Sequence, residues 1–121
     1  MIDISNTSSS QQQTIGKPVS IKGIGLHTGT EVTMKLYPAK VDYGIKFIRK
    51  DIKDSNVIEA LWSNVSSTKL STTISNQNGT SVSTIEHLMS ALSGLHIDNI
   101  KIEIDGPEVP CLLYTSDAAD E

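Results

Sequence analysis

The chain has 121 residues, with 14 Asp plus Glu against 10 Lys plus Arg and a net charge of −4. That length suits one domain with its own hydrophobic core and excludes two. The acidic balance lacks the basic patch of a nucleic-acid binder, and no apolar run approaches the roughly 20 residues of a membrane-spanning helix.

In chain order, "MIDISNTSSSQQQ" has no basic stretch leading into an apolar one, so it is not expected to act as a signal peptide. It is polar and aperiodic, and residues 1–13 are expected to form a disordered tail. A strand pattern begins at Thr14, with Ile15, Val19 and Ile21 among polar residues. The three glycines of "GIGLHTG" mark a turn. "EVTMKLY" alternates, with Val32, Met34 and Leu36 on one face, as a half-buried strand does. "PAK" turns the chain; "GIKFIRKD" gives a strand on Ile45 and Phe47, and "NVIEALW" a fourth. "KLSTTISNQNGTSVST" reads as a hairpin with Leu70, Thr72 and Ile74 on one face and Asn78-Gly79 in the turn. A helix follows, since Ile85, Leu88, Met89 and Leu92 fall at i, i+3, i+4 and i+7. Ser83 suits its N-cap and Gly94 its C-terminal stop. "NIKIEID" alternates again, with Ile100, Ile102 and Ile104 inward. The sum is an α+β fold, a two-layer sandwich of an antiparallel-rich sheet with a helix on one face. The lone Cys111 cannot form an internal disulfide, and a cytoplasmic location is expected.

Glu86 and His87 open that helix, and two readings compete for them. Ser83-x-x-Glu86 fits a capping box, in which Glu86 bonds back to the Ser83 backbone N–H, and His87 is then a surface residue. Alternatively, at about 100° per residue, Glu86, His87 and Ser90 lie opposite the apolar stripe, in position to do chemistry. The positive end of the helix dipole favours an ionised carboxylate there. A catalytic zinc takes three protein ligands, however, and the His-Glu-x-x-His pattern is absent. His27 and His96 fall in loops without ligand spacing to His87, so any further ligands must come from elsewhere.

"GIGLHTG", "PAKVDYGIKFIRKD", "TKLSTTI", "VSTIEHLMSALSGLHIDNIKIEI" and "GPEVP" occur in this order and spacing. Together they resemble the N-terminal half of the UDP-3-O-acyl-N-acetylglucosamine deacetylases, zinc amidases of lipid A biosynthesis. The resemblance covers residues 14–110. It implies a first domain of two similar α+β domains, with the active site between them and a UDP-3-O-acyl-N-acetylglucosamine substrate. His87 matches a Zn2+ ligand and Glu86 the general base that activates water. The remaining ligands, a His and an Asp, belong to the C-terminal domain of the parent chain. Leu70 and Ser71 match a stretch lining the substrate site; many members carry Cys where this chain has Ser71.

After "GPEVP" the family pattern stops. "CLLYTSDAADE", residues 111–121, resembles a translated sequencing-library adapter with no alternation that continues the sheet, and Tyr114 to Glu121 are expected to lack consistent packing on the domain. The domain then lies in residues 14–110, and this chain by itself is expected to be inactive. The competing class is a non-catalytic binding or scaffold domain of the same fold, with Glu86 as a cap and His87 on its surface.

Overall fold

A computed structural model describes residues 4–6 and 11–115. In chain order the elements are β1 (Ile4–Asn6), β2 (Gln13–Ile15), β3 (Val19–Gly25), β4 (Glu31–Pro38), β5 (Ile45–Arg49) and β6 (Val57–Glu59). A 3-10 turn (Trp62–Asn64) leads to β7 (Val65–Ser67), β8 (Thr73–Ser75), β9 (Ser81–Ser83), α1 (Glu86–Gly94), β10 (Ile100–Ile104) and β11 (Pro110–Thr115).

Among the described residues the strands form three sheets. The main one has six strands in the order β11-β3-β4-β10-β5-β6; a three-stranded sheet runs β7-β8-β9, and β1 pairs with β2. All pairings are antiparallel except β10 with β5, where Ile100, Ile102 and Ile104 sit beside Ile45, Phe47 and Arg49. The α+β sandwich read from the sequence is therefore the observed architecture.

The alternation in β4 and β10 sets the layers. Val32, Met34, Leu36, Ile100, Ile102 and Ile104 are all buried, and they meet Ile85, Leu88 and Leu92 of the helical segment in one core. The opposite face is mixed, polar and charged side chains lying among Ile24, Ile48 and Val57. There Lys46 lies over the Tyr43 ring and Lys101 over the Tyr37 ring, an arrangement that covers aromatic carbon while leaving the charge in water. At the far end of β5, buried Arg49 makes paired bonds to Asp51 and a third to the Ser81 carbonyl, tying the main sheet to the start of β9.

Several expectations are corrected. The tail assigned to residues 1–13 contains a strand, since Ile4–Asn6 pairs with Gln13–Ile15. Its anchor is a polar network: Asp98 accepts from the Gln13 N–H, and Asn99 donates to Gln12 while accepting from the Gly44 N–H. Strand β3 runs through Gly23 to Gly25 rather than ending at the first glycine. A Cβ at Gly23 would lie 2.3 Å from the Cys111 carbonyl oxygen, so this glycine admits β11 alongside β3. Pairing of β11 with β3 extends to Thr115 opposite Ile21, which corrects the expectation that nothing from Cys111 on would continue the sheet. Residues 116–121 lie outside the described residues. In the hairpin, Ile74 is buried but Leu70 is 84% exposed, because Leu70 precedes β8 and is not part of it.

The helix ends also differ. Ser83 belongs to β9, its N–H bonded to the Pro107 carbonyl, and Ile85 occupies the N-cap position without a side-chain cap. At the C-terminus the left-handed residue is His96, φ +58°, two positions beyond Gly94.

Candidate active site

Three segments converge at the N-terminal end of α1. The first is the turn after β3, closed by Gly29 N–H to the Gly25 carbonyl and Gly25 N–H to the Thr30 carbonyl, each 2.9 Å. The second is the Leu70–Thr72 approach to β8. The third is Thr84–His87, where the chain leaves β9 and enters the helix. Between them lies a groove of about 320 Å3 whose walls include Leu26, His27, Leu70, Ser71, Glu86 and His87. The four residues singled out from the sequence, Glu86, His87, Leu70 and Ser71, are thus brought together.

Glu86 does not serve as a capping-box residue. Its Oε2 accepts a 2.7 Å bond from the Thr72 N–H, and the Thr84 N–H returns a 2.9 Å bond to the Thr72 carbonyl. The carboxylate therefore links the helix to the neighbouring β8 segment and holds Leu70 and Ser71 beside it. Burial alone would raise its pKa. The N–H bonds from Thr72 and from its own backbone, with the nearby His87, outweigh that and hold the carboxyl below its ordinary value of 4.5. Glu86 is ionised at neutral pH.

His87 is exposed, and its imidazole makes no hydrogen bond among the described residues. Leu88 and Leu92, on the other side of the helix, are buried at 3% and 1% exposure. The amphipathic pattern thus turns Glu86 and His87 outward, as expected. Met89 is only partly buried against the core. Beyond Glu86 a second hollow of about 280 Å3 opens, walled by Leu61, Trp62, Val65, Ile74, Ile85 and Met89. Glu86 stands on the rim of both hollows.

The sequence reading missed two participants. Thr84 has φ +61°, a left-handed conformation uncommon for a β-branched residue. Glu108 is 1% exposed, yet among the described residues no cation pairs with its carboxylate. It accepts instead from the His27 N–H at 2.9 Å, the Thr28 N–H at 3.0 Å and the Thr84 hydroxyl at 3.0 Å. The Ser71 hydroxyl lies 3.2 Å from the same Thr84 oxygen. Thr84 has one proton and a carboxylate only accepts, so Ser71 supplies the proton on its side. The available signal was the acidic residue enclosed by "GPEVP", a charge flanked by apolar neighbours that must find donors if buried.

No group of three or more His, Cys, Asp or Glu side chains suited to a metal ion exists among the described residues. His87, exposed on the groove wall beside an ionised carboxylate, could hold a metal ion only together with ligands that the described residues do not group around it.

These features define a class: an α+β domain that offers an ionised carboxylate and an adjacent imidazole at the mouth of a groove. A family model described as UDP-3-O-acyl N-acetylglycosamine deacetylase matches residues 12–116, and the chain belongs to that family. The match runs through Cys111 and the paired part of β11. Among curated proteins, the UDP-3-O-acyl-N-acetylglucosamine deacetylase of Geobacter sp. (strain M21) is 54% identical over 101 residues, covering 84% of this chain and 33% of the relative. The protein of the same name from Myxococcus xanthus (strain DK1622) is 47% identical over 105 residues, covering 87% of this chain and 33% of its own length. The chain thus spans about a third of the length of these relatives.

Proposed function

We propose that the chain is the first domain of a zinc-dependent deacetylase. Its reaction is hydrolysis of the N-acetyl group of UDP-3-O-acyl-N-acetylglucosamine to the free amine and acetate, within lipid A biosynthesis. The carrying observation is the placement of Glu86 and His87 side by side on the groove wall, with Glu86 fixed by the Thr72 N–H rather than spent on its own helix.

In this reading His87 is one ligand of Zn2+, and the others come from a C-terminal domain. When bound, the metal supplies Lewis-acid polarisation of the amide carbonyl and acidifies water at the site. Glu86 is the general base. Its depressed pKa keeps it ionised at neutral pH, able to accept a proton, and the Thr72 bond to Oε2 fixes its place on the groove wall. Leu70, 84% exposed on the groove, offers apolar contact to substrate, and Ser71 offers a hydroxyl already ordered by Thr84. The apolar hollow on the far side of Glu86 gives no comparable polar anchor. The described residues group too few ligands for the metal, and in this reading the domain is inactive without the second one.

The test uses the complete protein. Glu86→Ala should keep zinc and lose about 10²–10⁴-fold in turnover, the usual contribution of a general base. His87→Ala should lower the bound zinc itself, read by metal analysis after dialysis. Near-normal turnover in Glu86→Ala would remove the assignment and leave Glu86 as a structural link to Thr72.

A further inference from the structure

The buried carboxylate of Glu108 has a place in the groove that its distance from Glu86 in sequence conceals. It touches no other charged group among the described residues, and its hydrogen-bonding capacity goes to three donors from two segments. Two donors are consecutive N–H groups of the turn that carries His27, and the third is the hydroxyl of Thr84, two residues before Glu86. The fit is close: a Cβ at Gly25 would lie 2.6 Å from Glu108 Oε1 and 2.4 Å from Thr28 Oγ1, so the turn folds directly over the carboxylate. The Glu108 segment is itself fixed to β9, by Ser83 N–H to the Pro107 carbonyl and Val109 N–H to the Ser83 carbonyl, 2.9 and 3.0 Å.

We propose that Glu108 is a positioning residue of the groove. It fixes the His27 turn on one wall relative to the Thr84–His87 segment on the other, and through Thr84 it orders Ser71. The inference rests on reading this groove as the place of reaction. Reach comes before charge in what the geometry demands of residue 108, since its two oxygens must meet donors from both walls. A Gln has the same length. Its Oε1 can accept from Thr28 and, at 3.1 Å, from His27, but its Nε2 then stands where Oε2 took the shorter 2.9 Å bond from the His27 N–H, so Gln spans both walls with one weakened contact. An Asp keeps the charge but falls one methylene short of both walls. A role in proton transfer or metal binding would rank the two substitutions the other way.

The experiment compares Glu108→Gln and Glu108→Asp in the complete protein, with zinc content matched. Two quantities are read: kcat/KM on UDP-3-O-acyl-N-acetylglucosamine, and hydrogen exchange at the His27 and Thr28 amides. Glu108→Asp should lose at least tenfold in kcat/KM and exchange both amides at least about 100-fold faster. Glu108→Gln, which keeps the reach and weakens only the His27 contact, should lose clearly less than Glu108→Asp in each. The proposal is overturned if Gln is as impaired as Asp, if the amides stay protected in the Asp variant, or if they open while turnover is unchanged. Should the Asp variant fail to fold, Thr84→Ala carries the comparison. It removes one of the three bonds and should cost at least threefold in kcat/KM, and no loss would overturn the proposal. Failure of the unsubstituted protein to deacetylate is a separate result that rejects the functional reading, and the amide protection still decides whether Glu108 clamps the turn.

Discussion

Thr84 shows how much is asked of single residues at this site. A left-handed φ of +61° costs a non-glycine residue on the order of 1–3 kcal/mol, offset here by bonds from its N–H to Thr72 and from its hydroxyl to Glu108. That kink turns the chain from β9 into α1 and leaves Glu86 free of any capping duty. The outward direction of Glu86 and His87 was legible in the sequence, because a 3.6-residue period reports which side of a helix is buried. The capping-box pattern assigned Glu86 the wrong partner, because a link to Thr72, 14 positions away, obeys no period. Glu108, 81 positions from His27, was hidden for the same reason. Its chemistry can be checked by pH. Burial pushes the Glu108 carboxyl up, but its bonds from His27, Thr28 and Thr84 outweigh that and hold it below 4.5. Asp51 is held below its ordinary 3.8 chiefly by its bonds to Arg49. A carboxyl with a lowered folded-state pKa stabilises the fold above its unfolded pKa, and this is lost as pH falls through the folded value. Urea unfolding should therefore give a constant stability from pH 7 to about 5 from these groups and a decline below 4.5. Glu108→Gln should flatten part of that decline, and an unchanged acid limb would show that Glu108 titrates alike in both states.

At the level of elements, the alternating strands were the most legible part of the chain. β4 and β10 are flanked on both sides within the sheet, so burial alone fixes the identity of every second residue. Ile102 is fully buried while its neighbour Lys101 faces the other side of the sheet. Ile102→Ala should cost about 2–5 kcal/mol in urea denaturation, against under about 0.5 kcal/mol for Lys101→Ala. Glycines separate in a way that composition cannot show. Gly23→Ala would drive a methyl group into the Cys111 backbone and should lower the melting temperature by displacing β11. Gly94, inside the helix with no atom near its missing Cβ, should accept Ala with a gain of about 0.4–1 kcal/mol. A melting comparison in which both substitutions behave alike would contradict the β3–β11 register.

For the whole molecule, the paired stretch Pro110–Thr115 changes what removing the end of this chain should do. The pattern of residues 111–121 offered no alternation, since β11 has a register shift between Cys111 and Tyr114 that breaks a period of two. As β11 covers the free edge of β3, a protein ending at residue 110 should melt more than about 5 °C below the 121-residue chain, near 1 kcal/mol for a domain of this size. Equal melting temperatures would mean that the pairing contributes nothing in solution.

The parallel pairing of β5 with β10 also has a kinetic consequence. Ile45 and Ile100 lie side by side although 100 − 45 = 55 positions separate them, and the intervening chain includes the small sheet and α1. Closing a loop of that length costs about 3.5 kcal/mol of chain entropy by the logarithmic scaling, before any contact compensates. Such non-local pairings slow folding. The Leu70–Thr72 and Thr84–His87 walls of the groove ride on this loop, whereas the β3–β4 hairpin, with its His27 turn, closes locally. A nascent chain would thus present the His27 turn early and the Glu86–His87 wall late. The two sides of the groove meet only after the sheet has captured β10, and Glu108, just beyond it, completes the join.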